Sequence, residues 1–244
     1  MDEALRRLVA EFEGFRPRDL PLIPTRSAAS LRAELPTRFD FNNPRPLAEV
    51  LDDVCALLRA GTNHSTHPRH LGLFNPTTTT ASVAADALAA LYNPQLSVTV
   101  AAPFAVTAER YVLASLARLL GLDPDTCHSN FTTGGAEANH TAVLCALSRA
   151  VPGYVEQGLH DARPSVYVSE EAHASTAKAV QVSGAGRGAL RVVGTDRACR
   201  LNLRALRKRI ADDRAAGCIP ALVVATFGAT SSGAVDPLRE LAAV

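Results

Sequence analysis

The residues best arranged for chemistry lie in Thr132-Thr133-Gly134-Gly135-Ala136-Glu137-Ala138-Asn139. A glycine pair at the junction of two elements lets the backbone turn sharply and approach a ligand closely. If a helix begins there, its first N–H groups lack intrahelical partners and its dipole adds positive potential, which suits an anion such as a phosphate. Read alone, the segment serves equally as an ordinary strand-to-helix turn. Ser169-Glu170-Glu171-Ala172-His173-Ala174-Ser175 follows an apolar run and presents an imidazole. That ring could stack on a planar heterocycle or simply cap a helix. Ala225-Thr226-Phe227-Gly228-Ala229-Thr230-Ser231-Ser232-Gly233 also follows an apolar run, and by itself reads as a flexible loop.

These segments need elements to position them. Periodicity predicts strands at Asn130–Thr133, Ser165–Ser169, Leu190–Val193 and Ala221–Thr226, alternating with helices at 136–150, 172–182 and Leu203–Ala216. Alternating strands and helices imply a mostly parallel sheet covered by helices, with ligands at the C-terminal strand ends. Upstream, helices are expected at 2–13, Leu47–Leu58 (ended by Gly61), 78–92 (closed by Asn93-Pro94) and Thr107–Leu120. Thr107 is the expected N-cap of the last of these, and Gly121 lies just past its end. Residues 17–46 are rich in proline and are expected to form an extended arm with short turns, and 62–76 a long polar loop. Pro237–Val244 reads as the opening turns of another helix, with further strands expected to complete the sheet.

Composition narrows the function classes. The chain has 244 residues, 47% hydrophobic and 20% charged, with a formal net charge of +1. No global field draws it to nucleic acid or to anionic lipid, and sparse aromatics leave no stacking surface for bases. No apolar run approaches the ~20 residues of a membrane helix, so neither nucleic acid nor membrane is an expected partner. The N-terminus is amphipathic, unlike a signal peptide. Cys55, Cys127, Cys145, Cys199 and Cys218 are scattered without a CxxC pair, which fits reduced thiols in the cytoplasm. His64, His67 and His70 recur every three residues, but Pro68 breaks any helix that would align them, so no metal site is expected. The arginine-rich stretch 204–214 alternates with Leu206, Ile210, Asp212 and Asp213 as a solvated amphipathic helix does.

In order and spacing, the three chemical segments resemble those of the group II pyridoxal 5′-phosphate (PLP)-dependent amino-acid decarboxylases, the family of aromatic-L-amino-acid and glutamate decarboxylases. The resemblance runs from about His67 onward. It includes His67-Pro68-Arg69-His70, the 133–139 loop, Glu171-Ala172-His173, and Ala225-Thr226 through Gly233-Ala234-Val235-Asp236-Pro237. It implies an α/β fold, the PLP-dependent transferase-like (fold type I) large domain, with an incomplete, mostly parallel sheet and a helical N-terminal arm. Residues 1–76 would be the arm and dimerisation segment, and 77–244 the first half of the cofactor-binding domain.

The resemblance also implies roles. Gly134 turns the loop, and Gly135 and Ala136 match residues whose amides hold the PLP phosphate. Position 136 is often Ser or Thr in the family, so a hydroxyl contact is absent here. His173 matches the histidine that stacks on the pyridine ring and assists catalysis. Thr226 matches the threonine beside the ring, and Phe74 and Asn75 match positions lining the substrate pocket. Ala229 stands where the family usually has Thr. The implied reaction is α-decarboxylation of a small-molecule L-amino-acid substrate by a homodimer whose arm wraps around its partner. Such wrapping would explain why residues 17–76 look poor at forming a core of their own.

The family's pyridinium-binding Asp and Schiff-base lysine fall after the matched segments. Lysine occurs only as Lys178 and Lys208. Lys178 is five residues past His173 and so on another helix face, and Lys208 sits in a solvated basic run. Asp236 belongs to the family's own Asp-Pro pattern and is not expected to be the pyridinium partner. Two other readings stand beside the decarboxylase: a non-catalytic truncated product, or one subunit of a split enzyme completed by a C-terminal chain; and an aminotransferase-like or other PLP lyase on the same fold.

Overall fold

The computed structural model describes residues 2–72 and 76–244, and the chain divides into two compact units, Met1–Pro94 and Gln95–Val244. In the first unit, α1 (Glu3–Gly14) is capped by the Asp2 carboxylate, which accepts from Ala4 N at 3.4 Å. A 3₁₀ turn at Pro17–Asp19 leads to α2 (Ala28–Arg38). This helix lies within residues 17–46, where an extended stretch with short turns was expected. Pro36 removes one internal N–H from α2, yet the helix holds because Ser27 caps it (Ser30 N to Oγ, 3.1 Å) and Glu34 pairs with both Arg26 and Arg38.

α3 (Leu47–Gly61) lies against α1, pinned by Arg7–Asp52 at 2.8 Å and by Arg59–Glu11. α4 (Thr80–Tyr92) starts at a Thr79/Ser82 capping box and stops at Asn93, whose φ of +42° places it in the left-handed region. Among the described residues of this unit, only Ala4 and His64 are buried.

The second unit opens with α5 (Pro103–Leu119). It begins upstream of the expected Thr107 cap because Pro103 occupies N1, where its fixed φ and missing N–H cost nothing; Thr107 lies inside the helix. There follow α6 (Gly135–Ala150), the short α7 (Tyr154–Gln157), β1 (Pro164–Ser169), α8 (Ala174–Val182), β2 (Leu190–Val193), α9 (Leu203–Ala215), β3 (Ile219–Val224) and α10 (Leu238–Ala242). The strand expected at 130–133 is not formed. A strand needs a hydrogen-bonded neighbour, and among the described residues nothing pairs with this segment. It runs as irregular chain into α6.

The three strands are parallel in the order β2-β1-β3, in register at Val166↔Leu190 and Val166↔Leu222. β1 is buried along its whole length because helices cover both faces. Side chains alternate across a strand. Val166 and Val168 therefore pack with Val143 and Leu147 of α6 and Ala179 and Val180 of α8, while Tyr167 packs with Leu206 and Ile210 of α9 and Leu241 of α10. On that second face Tyr167 Oη donates to Asp213 at 3.0 Å, and Arg191 Nε donates to the same carboxylate at 3.0 and 3.1 Å. The sheet thus fixes three C-terminal strand ends, from which the 170–173 and 225–237 loops depart beside the start of α6.

Candidate functional site

At the start of α6, Gly134 is the N-cap, in extended backbone, and its carbonyl accepts from Glu137 N and Ala138 N at 3.1 Å each. The N–H groups of Gly135 and Ala136 have no protein partner among the described residues. A Cβ built on Gly134 or Gly135 would meet nothing within 4 Å, and residues 134–136 are exposed, so the loop is open to solvent. Glu137 Oε2 accepts from Thr133 N and Thr133 Oγ1, both at 2.7 Å, and Thr132 Oγ1 donates to Gly134 O at 3.1 Å. The Thr133 hydroxyl and N–H hold the Glu137 carboxyl below the usual carboxylate range, so it stays ionised and folds back over the loop.

His173 is the N-cap of α8. The helix therefore begins two residues later than expected, because the imidazole itself accepts from Ser175 N at 3.2 Å and so ends the loop. The Ser175 hydroxyl lies 2.8 Å from the same Nδ1 and accepts from Asn139 Nδ2 at 2.8 Å. Ser175 is buried and His173 exposed. Asn139 belongs to α6, so one hydrogen-bonded chain ties the phosphate-type loop to the imidazole.

Thr226, expected at a strand's last position, lies just past β3 and is half-buried. Its N–H donates to Asp236 Oδ2 at 2.7 Å, while Leu201 N donates to Asp236 Oδ1 at 2.7 Å. Asp236 is 3% exposed, so this carboxylate is an internal brace. The loop between is an antiparallel closure at Phe227↔Val235, with Gly228 at φ +90°. Glu171 Oε2 accepts from Ser231 Oγ at 2.6 Å and Ser232 Oγ at 2.8 Å, which ties this loop to the β1–α8 connection. Those hydroxyls hold the Glu171 carboxyl below its ordinary range.

The structure thus joins the segments of Gly134, Gly135 and Ala136, of His173 and of Thr226 through Asn139–Ser175 and Glu171–Ser231/Ser232. Phe74 and Asn75 lie outside the described residues. Asn139, Ser175 and Glu171 were visible in the motifs, but their pairings bridge 36 to 61 positions and leave no local signature. Lys178 is exposed on α8, and Lys208 pairs with Asp212 at 2.7 Å; neither is hydrogen-bonded to the three segments.

The profile of the pyridoxal-dependent decarboxylase conserved domain matches residues 29–244. Curated relatives include an L-2,4-diaminobutyrate decarboxylase of Rhizobium meliloti, 32% identical over 204 residues (81% of this chain, 40% of the relative). Another is a tyrosine decarboxylase of Oryza sativa, 32% identical over 237 residues (93% of this chain, 44% of the relative). The glutamate decarboxylase domain of a Vibrio parahaemolyticus diaminobutyrate-pyruvate transaminase and L-2,4-diaminobutyrate decarboxylase superposes with a TM-score of 0.87 at 23% identity, covering 99% of this chain and 53% of that one. The structure of Oryza sativa TDC with PLP and tryptamine superposes with a TM-score of 0.84 at 23% identity, covering 99% and 51%. The chain spans about half the length of the proteins it matches. Among the described residues, no helix is long and apolar enough to cross a membrane.

Proposed function

This chain belongs to the pyridoxal-dependent decarboxylase family, and we propose that it supplies the phosphate-and-ring side of a PLP site for decarboxylating an L-amino acid. Its fold is the fold type I large domain, a small parallel sheet flanked by helices. The observation that carries the reading is the pair of unpartnered N–H groups on Gly135 and Ala136, at a helix start held beside His173. The donor set fits a phosphorylated planar heterocycle: two free amides and a helix dipole for the phosphate, and an exposed imidazole for the ring.

Gly134 turns the loop, Gly135 and Ala136 donate to the phosphate, His173 stacks on the ring and holds or moves a proton there, and Thr226 borders the ring. When bound, the cofactor supplies the electron sink for carboxyl loss. Neither Lys178 nor Lys208 serves as the covalent lysine; that lysine and the pyridinium carboxylate come from the half of the fold that these residues do not match, whether on the same or a complementing polypeptide. The protein works in the cytoplasm as a homodimer, a reading supported by the thin core of residues 2–72 and by five free cysteines.

Titration of the chain with PLP, pyridoxamine 5′-phosphate and phosphate-free pyridoxal tests this. The two phosphate esters should bind, and pyridoxal roughly tenfold or more weaker, since one charge-assisted hydrogen bond is worth about 1.5–3 kcal/mol. Equal affinity for pyridoxal and PLP would remove the loop from the site.

A further inference from the structure

We propose that Ser175 is a positioning residue that fixes the tautomer and orientation of His173, with Asn139 anchoring it to the phosphate-binding helix. The inference deepens the role proposed for His173 and rests on it. The chemistry is forced at one point: a backbone N–H can only donate, so the contact from Ser175 N requires a lone pair on Nδ1. In the neutral ring the proton then sits on Nε2. The Ser175 hydroxyl, 2.8 Å from the same nitrogen, already accepts from Asn139 Nδ2 and so has its own hydrogen to give to Nδ1.

Ser175 is buried at 6% exposure, where a hydroxyl that found no partner would be costly. Its two contacts therefore satisfy it and restrain the ring together. Among the described residues Nε2 has no protein partner. The group that His173 presents at the strand ends is thus an N–H donor suited to a carboxylate, held from behind by two elements. A ring free to exchange tautomers would present that donor only part of the time.

The test uses the full chain without cofactor, labelled with ¹⁵N-histidine, in long-range ¹H–¹⁵N spectra at a pH where the ring is neutral. The His173 signals are identified by their loss in His173→Gln. The wild type should show the Nε2–H tautomer alone, with the Nδ1 resonance displaced from the free lone-pair position by hydrogen bonding. Ser175→Ala should move Nδ1 toward the free position while keeping the Nε2–H tautomer, which the backbone N–H of residue 175 still requires, and Ser175→Thr should restore the wild-type pattern. Asn139→Ala should shift Nδ1 in the same direction by less, and it carries the test if Ser175→Ala does not fold. An Nδ1–H tautomer in the wild type, or folded Ser175→Ala and Asn139→Ala chains with unchanged His173 signals, overturns the proposal. Because no cofactor is present, failure to bind PLP would leave this result standing and sink only the proposed function.

Discussion

The N–H of Thr226 donates to the buried Asp236 carboxylate at 2.7 Å, ten positions along the chain, and the other oxygen of that carboxylate takes Leu201 N at 2.7 Å. One side chain thus fixes the end of β3, the closing residue of the loop that follows it, and the entry to α9. Hydrogen bonds to a charged group contribute about 1.5–3 kcal/mol, and an N–H left buried without a partner adds to the loss. Asp236→Ala should lower stability by about 3 kcal/mol, read as a fall in the urea midpoint at unchanged m-value. A change below about 0.5 kcal/mol, the usual size for a surface site, would show that the brace is not needed.

Gly135 is the first residue of α6, where proline is well tolerated, and a side chain there meets nothing within 4 Å. Gly135→Pro removes one proposed phosphate donor while leaving the helix intact. PLP should bind roughly tenfold or more weakly, from one lost charge-assisted bond, with the circular-dichroism melt within a few degrees of wild type. Undiminished PLP affinity would take this N–H out of the site.

The Glu171 carboxylate is the tie between the β1–α8 connection and Ser231 and Ser232. Glu171→Gln should weaken it, because a neutral amide oxygen accepts hydroxyls less strongly than a carboxylate. Hydrogen exchange should speed up across 226–235 and stay unchanged in β1. Uniform exchange across the unit would point to a global effect instead.

The Tyr167–Asp213–Arg191 cluster gives the second unit pH dependence at both extremes. Burial, then the Asp213 hydrogen bond, pushes the Tyr167 phenol up to about 12. A raised folded value gives stability that is complete below the unfolded value of about 10 and is lost as pH rises toward 12. Burial raises the Asp213 carboxyl too, but hydrogen bonds from Arg191 and Tyr167 outweigh it and hold the group below the ordinary carboxylate range. Its stabilisation is present above about pH 4 and lost as pH falls through the depressed folded value. Urea denaturation against pH should show both limbs. Tyr167→Phe should flatten the alkaline one and Asp213→Asn the acid one; limbs unchanged by these variants would assign them to other groups.

What was legible in the sequence was local. β2 has the expected bounds, α3 starts at the expected Leu47, and Gly121 follows α5 with φ +74°, because period, caps and glycine are written in neighbouring residues. α2 was hidden by the proline-rich composition of 17–46, while the Ser27 cap and the Arg26–Glu34–Arg38 pairing that sustain it become apparent only in space. The 130–133 segment has strand-like composition but, among the described residues, no partner, a fact of topology that no window of residues contains. The same limit applies to the site. The glycine pair and His173 stood out as types, whereas Asn139 and Asp236, and the tie of Ser175 to α6, depend on long-range pairings.

On the proposed reading, the α6 loop holds PLP while neither Lys178 nor Lys208 becomes the covalent partner. Native mass spectrometry of the chain with equimolar PLP, before and after borohydride reduction, distinguishes this from covalent attachment. The expected result is one PLP per chain under native conditions, lost on denaturation even after reduction. A phosphopyridoxyl group retained on Lys178 or Lys208, or no native adduct at all, would contradict it.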